Sequence, residues 1–105
     1  MKKYPMTTDT LYRFFQDSCH GWLRVPMAHI RELDIADRIS GFSYKNGEHA
    51  YLERDVDYRV FEEAFYEKFS IYPQLHWSTK ENPAELSRIR NFEFFRKNIL
   101  VDTTI

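Results

Sequence analysis

The strongest short-range pattern lies between Phe42 and Leu52, where two β-prone runs flank Asn46-Gly47. Asparagine and glycine accept the positive φ values of a tight two-residue turn, so the segment predicts a β-hairpin. With Asn46 and Gly47 at its centre, Lys45 faces Glu48, Tyr44 faces His49, Ser43 faces Ala50 and Phe42 faces Tyr51, because opposed residues share a face of the ladder. One face of this hairpin is small and the other aromatic. Upstream, residues 10–17 alternate as a strand, residues 17–21 carry turn signals, and residues 22–25 read as the returning strand.

Helical spacing follows. Pro26 suits the first turn of a helix, and Met27, Ile30 and Leu33 recur on one side of it, with an end near Asp34 or within residues 35–39. Asp55 or Asp57 is placed to cap a longer helix whose stripe of Val60, Phe61, Ala64, Phe65 and Phe69 is apolar, while Arg59, Glu62, Glu63 and Glu67 face water. Residues 73–79 read as a strand with Leu75 and Trp77 inward, and Asn82-Pro83-Ala84-Glu85 opens a last helix running through Ile89. The order β-β-α-β-β-α-β-α predicts an α+β fold: an antiparallel or mixed sheet of about five strands with two to three helices packed mainly on one face.

If the small side of the hairpin, with Gly41, Ser43, Ala50 and Leu52, receives the Phe61/Phe65 helix, then Leu11, Phe15, Leu23 and Val25 join that core. The opposite face then carries Tyr12, Phe14, Trp22, Phe42, Tyr44, His49 and Tyr51, more aromatic surface than a solvated sheet displays. Three readings stay open. The C-terminal segment with Phe92, Phe94, Phe95, Ile99 and Leu100 folds over this face as a second core, or the face binds a partner or a second copy, or it stacks single-stranded bases.

Composition narrows the class. The 105 residues are 43% hydrophobic and 17% aromatic, enough apolar surface for one self-folding domain, and no linker divides them. The expectation is a single domain over residues 1–105, with residues 1–8 and 98–105 as candidates for flexibility. One cysteine, Cys19, rules out an internal disulfide and a thiolate zinc site, and no apolar run approaches spanning length, so a soluble, cytoplasmic protein without membrane contact is expected. Net charge is −1, but residues 46–67 hold seven acids against Arg54 and Arg59. Such a stretch is the wet side of an amphipathic helix or, presented to a basic groove, a steering surface.

Candidate chemistry is thin. Cys19 and His20 are adjacent in a turn, which does not place a base within reach of a thiol. His29, His49 and His76 lie on different elements and would need to converge with Glu53 or Asp55 to hold a metal. Glu53, Asp55 and Asp57 alternate before a helix, a place where acids serve as cap and dipole complement more often than as a hydrolytic pair. Arg88 and Arg90 flank Ile89, where they could clamp an oxyanion or bridge to the acidic stretch. Three glycines cannot build a phosphate-binding loop. No catalytic residue, metal or cofactor is expected.

Four segments carry a resemblance: His20-Gly21-Trp22-Leu23-x-Val25-Pro26; Ile35-Ala36-Asp37-Arg38-Ile39-Ser40-x-x-Ser43-Tyr44; Ala50-Tyr51-Leu52-Glu53-x-Asp55-x-Asp57 with Phe61; and Ser87-Arg88-Ile89-Arg90-Asn91-Phe92. Together the pattern resembles a family of small uncharacterised proteins encoded in bacteriophages and other mobile elements. The resemblance implies a setting, not a mechanism: small accessory proteins of this kind act stoichiometrically on a host machine, including restriction or CRISPR complexes.

The expectation is therefore a non-enzymatic interaction protein that binds a host protein or ribonucleoprotein, as an inhibitor of a defence system. Its expected contact residues are Tyr12, Phe14, Trp22, Tyr44, His49, Tyr51, Glu53, Asp55, Arg88 and Arg90. A single-strand nucleic-acid module and a small hydrolase using His20, His49 and the acids are the alternatives, with nucleic acid not favoured and a homodimer left open.

Overall fold

The computed structural model of the chain describes residues 5–16, 20–77 and 88–96. Strands β1 (Leu11–Gln16) and β2 (Gly21–Pro26) lead into helix α1 (Met27–Glu32). Strands β3 (Tyr44–Asn46) and β4 (His49–Glu53) lead into helix α2 (Asp57–Phe69), and β5 (Gln74–Trp77) and β6 (Glu93–Phe94) follow. They form a six-stranded sheet in the order β5-β1-β2-β4-β3-β6, with only β1 and β5 parallel. The α+β class and mixed sheet are as expected, with the two-residue β6 added. The expected helix from Asn82 lies outside the described residues except for one helical turn at 88–90, as do Cys19, Ile99, Leu100 and most of both chain ends. Among the described residues, no helix is long and apolar enough to cross a membrane.

Helix α1 ends at Leu33 because Asp34 takes a left-handed conformation (φ 56°), and a 3-10 turn follows at Ala36–Arg38. Helix α2 ends where Ser70 turns left-handed (φ 61°) and returns its N–H to the Tyr66 carbonyl at 2.7 Å. Its apolar stripe lies as the spacing predicts. Phe61, Ala64 and Phe65 are buried against Tyr12, Phe14, Leu23, Val25, Ala50 and Leu52 of the sheet, with Ile30, Ile35 and Ile39 closing one side.

This core corrects the face assigned to β1. Phe14 pairs with Leu23 and Phe15 with Trp22, so Tyr12 and Phe14 point at α2 while Leu11, Arg13 and Phe15 point away. The reason is parity: the hairpin from Gln16 to Gly21 has an even loop, which puts Phe14, not Phe15, beside Leu23. Arg13 shares a face with Leu11 and Phe15, and a charge at that position belongs outside the main core. The short side of β2 is imposed by packing, since a Cβ at Gly21 would sit 2.7 Å from the Phe14 ring.

The second hairpin also differs in detail. Its central residues are Gly47 and Glu48, with Asn46 paired to His49, Lys45 to Ala50 and Tyr44 to Tyr51. Gly47 alone takes positive φ (60°), which suits a turn with glycine first, and the Glu48 carbonyl accepts the Met27 N–H at 2.7 Å, tying the turn to the start of α1. The turn moves by one residue and the pairing by two, so side chains keep their predicted faces while Phe42 drops out of the ladder.

Asp57 departs from its expected role. No side chain caps α2; Asp57 is its first residue, 1% exposed, and its carboxylate turns away to accept the Ser40 N–H (3.0 and 3.1 Å), the Ser40 hydroxyl (2.7 Å) and the Ser43 hydroxyl. The Ser43 hydroxyl in turn accepts the Glu53 N–H at 2.9 Å. A carboxylate this buried is tolerated because donors surround it and it sits at the positive end of a helix. Asp57→Ala is expected to strand three donors and lower the unfolding free energy by about 3 kcal/mol or more, measured by urea denaturation.

Burial pushes the Tyr12 hydroxyl far above the ordinary phenol range, and burial followed by the hydrogen bond to Glu62 does the same at Tyr58. Folding therefore holds these protons more tightly than the unfolded chain does. Their contribution is complete below about pH 10, the unfolded phenol value, and is lost as pH rises beyond it. Urea midpoints measured from pH 9 to 11 are expected to fall, and less steeply for Tyr12→Phe than for the unsubstituted chain.

Candidate functional site

The sheet has a second core on the face away from α2. Phe15, Trp22 and Tyr51 pack there with Ile89, joined by the half-buried Tyr44 and Phe92. Phe92 lies 4.9 Å from Tyr51 between ring centroids, and Phe94 stacks on Tyr44 at 5.3 Å. The covering segment is tied down by main-chain and guanidinium bonds: the Phe95 N–H reaches the Ser43 carbonyl at 2.7 Å, and Arg96 donates to the carbonyls of Ile39 (3.0 Å) and Ala36 (2.8 Å). Trp22 is left 2% exposed and Tyr51 8%.

The open aromatic face expected from the alternation is thus absent as such. Tyr12 and Phe14 belong to the main core, and Trp22 and Tyr51 lie beneath the chain's own Ile89 and Phe92. A cleft of about 360 Å³ survives at the edge of this cover, lined by His20, Trp22, Phe42, Tyr44, Glu53, Asp55, Val56 and Arg90. Five of the expected contact residues meet there: Trp22, Tyr44, Glu53, Asp55 and Arg90. His49 lines a different pocket, and Arg88 is exposed and outside the cleft.

Local structure explains the cleft. The β4–α2 turn carries Glu53, Asp55 and Val56, and the loop held by Asp57 presents Phe42, which is 70% exposed. Glu53 is buried, and its carboxylate accepts the Asp55 N–H at 2.8 Å, while the exposed Asp55 carboxylate lies 3.4 Å from Arg54. His20 stacks on Trp22 with 5.9 Å between centroids, and the Arg90 guanidinium lies 5.1 Å from the indole centroid. The Trp22 indole N–H is the buried side-chain polar atom that finds no hydrogen-bond partner among the described residues. Phe42 and Val56 were not singled out as contacts from the sequence. The Ser40/Ser43 pair bracketing Phe42 was the available signal, since short hydroxyl side chains favour local turns over strand.

His20, Glu53 and Asp55 share the cleft, but His49 does not, and both Asp57 oxygens already accept hydrogen bonds. Among the described residues, no three His, Cys, Asp or Glu side chains converge as a metal site. His29 and His49 line one pocket, whereas His76 sits on β5 in register with Arg13.

No family model, curated protein or solved structure matches this chain.

Ile89→Asp is expected to open the cover and wet the indole of Trp22. In a Trp77→Phe background, where Trp22 is the remaining tryptophan, the emission maximum should move to the red while far-ultraviolet dichroism keeps the sheet signal.

Proposed function

We propose that this chain is a non-enzymatic binding protein that engages a partner protein through the cleft between Trp22, Phe42, Tyr44 and Val56, with Glu53, Asp55 and Arg90 at its margins. The observation that carries the reading is composition in place: an exposed phenylalanine and valine beside a tryptophan, a tyrosine and an arginine, around one concavity. Buried aromatic anchors ringed by polar groups are the make-up of interfaces in which a few residues supply most of the affinity.

Binding in place of catalysis is supported by the state of the acids. Glu53 is engaged by a main-chain N–H, and Asp57 is saturated by serine donors. The Asp57 carboxylate is therefore not presented to a substrate as a base must be. The resemblance to proteins of phages and other mobile elements supports a host protein or ribonucleoprotein as the partner, with inhibition of a defence complex as the outcome of binding.

Capture from bacterial lysate with the tagged chain, before and after nuclease, tests this. A stoichiometric protein that survives nuclease and is lost with Phe42→Asp is the expected result; because Phe42 is so exposed, the variant should unfold at the same temperature as the parent. Equal recovery by both chains, or nucleic acid alone in the eluate, overturns it.

A further inference from the structure

Away from the cleft, strands β1 and β2 place two arginines side by side. Continuing the register of Phe14 with Leu23 and Phe15 with Trp22 sets Arg13 opposite Arg24 on the face away from α2. Both guanidinium carbons lie 5.6 Å from the centroid of one ring, that of Phe15. Like charges directly opposed across a ladder repel, which an anion between them would relieve. A pocket of about 240 Å³ opens beside the pair, lined by Arg13, Arg24, His29 and His49 together with Thr10 and Tyr12, with no carboxylate among the described residues of its walls. His29 is fixed there by the buried hydrogen bond between its Nδ1 and the Tyr12 hydroxyl, 2.9 Å apart. On the adjoining strand, His76 stands in register with Arg13, extending the row of basic groups.

We propose that Arg13 and Arg24 form an oxyanion site that takes a phosphate group carried on a small molecule. The fork of each guanidinium matches two phosphate oxygens, stacking on Phe15 fixes the forks at little entropic cost, and the anion cancels the repulsion between them. Thr10 adds a hydroxyl group to a pocket large enough for the ester as well as the phosphate. This site is independent of the aromatic cleft and of any partner bound there.

Inorganic phosphate, titrated at constant ionic strength against chloride, is the first probe, read by the melting temperature and by side-chain NMR signals of the arginines. A saturable rise in melting temperature with shifts confined to Arg13, Arg24 and their neighbours is expected. Arg24→Gln should weaken it by about tenfold, the loss of one charge-assisted fork, while Arg59→Gln, an exposed change on α2, leaves it intact. Glycerol phosphate should bind at least as tightly as inorganic phosphate; weaker binding overturns the assignment to an ester and leaves a site for the free ion. No difference from chloride, or equal binding by Arg24→Gln, overturns the proposal. So does a response only to a single-stranded oligonucleotide, which would assign the arginines to a nucleic-acid backbone instead.

Discussion

The Asp57 carboxylate is the constraint on which the rest of the architecture leans. It joins three pieces of chain: the loop after the 3-10 turn through Ser40, the entry to β3 through Ser43, and the first turn of α2. Ser43 passes the connection on to the last residue of β4. A buried charge is costly unless every lone pair is met, and meeting them leaves each contributing segment one position. That position is what brings Phe42 from one loop and Glu53, Asp55 and Val56 from another around a single concavity.

A sheet in a domain of this size cannot leave two apolar faces open to water, and this one resolves the difficulty unequally. The face beneath α2 receives a full helix and the long isoleucine-bearing connection after α1. Among the described residues, the other face receives the short run around Ile89 and Phe92, held at its far end by Arg96. This run buries Trp22 and Tyr51, while Phe42 and Val56 stay exposed beside it. The cleft lies where this cover meets the loop that presents Phe42.

Much of this was legible along the chain. The period of α2, both hairpins and the α+β class follow from spacing and turn residues, and the second aromatic layer with its C-terminal cover was foreseen as one of three readings. What failed was parity. Leu11-Tyr12-Arg13-Phe14-Phe15 offers an apolar pair on either face, and only the loop length between β1 and β2 decides between them. Arg13 held the clue, since a guanidinium on the same face as Leu11 and Phe15 argues against burying that face under a helix. Of the ten expected contacts, Trp22, Tyr44, Glu53, Asp55 and Arg90 do converge. Tyr12 and Phe14 went wrong with the β1 face. The Asp57 knot was hidden because an acid before a helix looks the same whether it caps that helix or reaches back across the fold to Ser40 and Ser43.

The parallel pairing of β1 with β5 sets the order in which the chain can assemble. Every other strand pair among the first four closes over a short or intermediate span, but Leu11 meets Gln74 only after roughly sixty intervening residues have been gathered in, at an entropic cost that no local turn reduces. The two hairpins and α2 can form and collapse on one another first. Strand β5 then docks onto the edge that β1 already presents, so this edge gains its hydrogen bonds after the hairpins and releases them before the hairpins do.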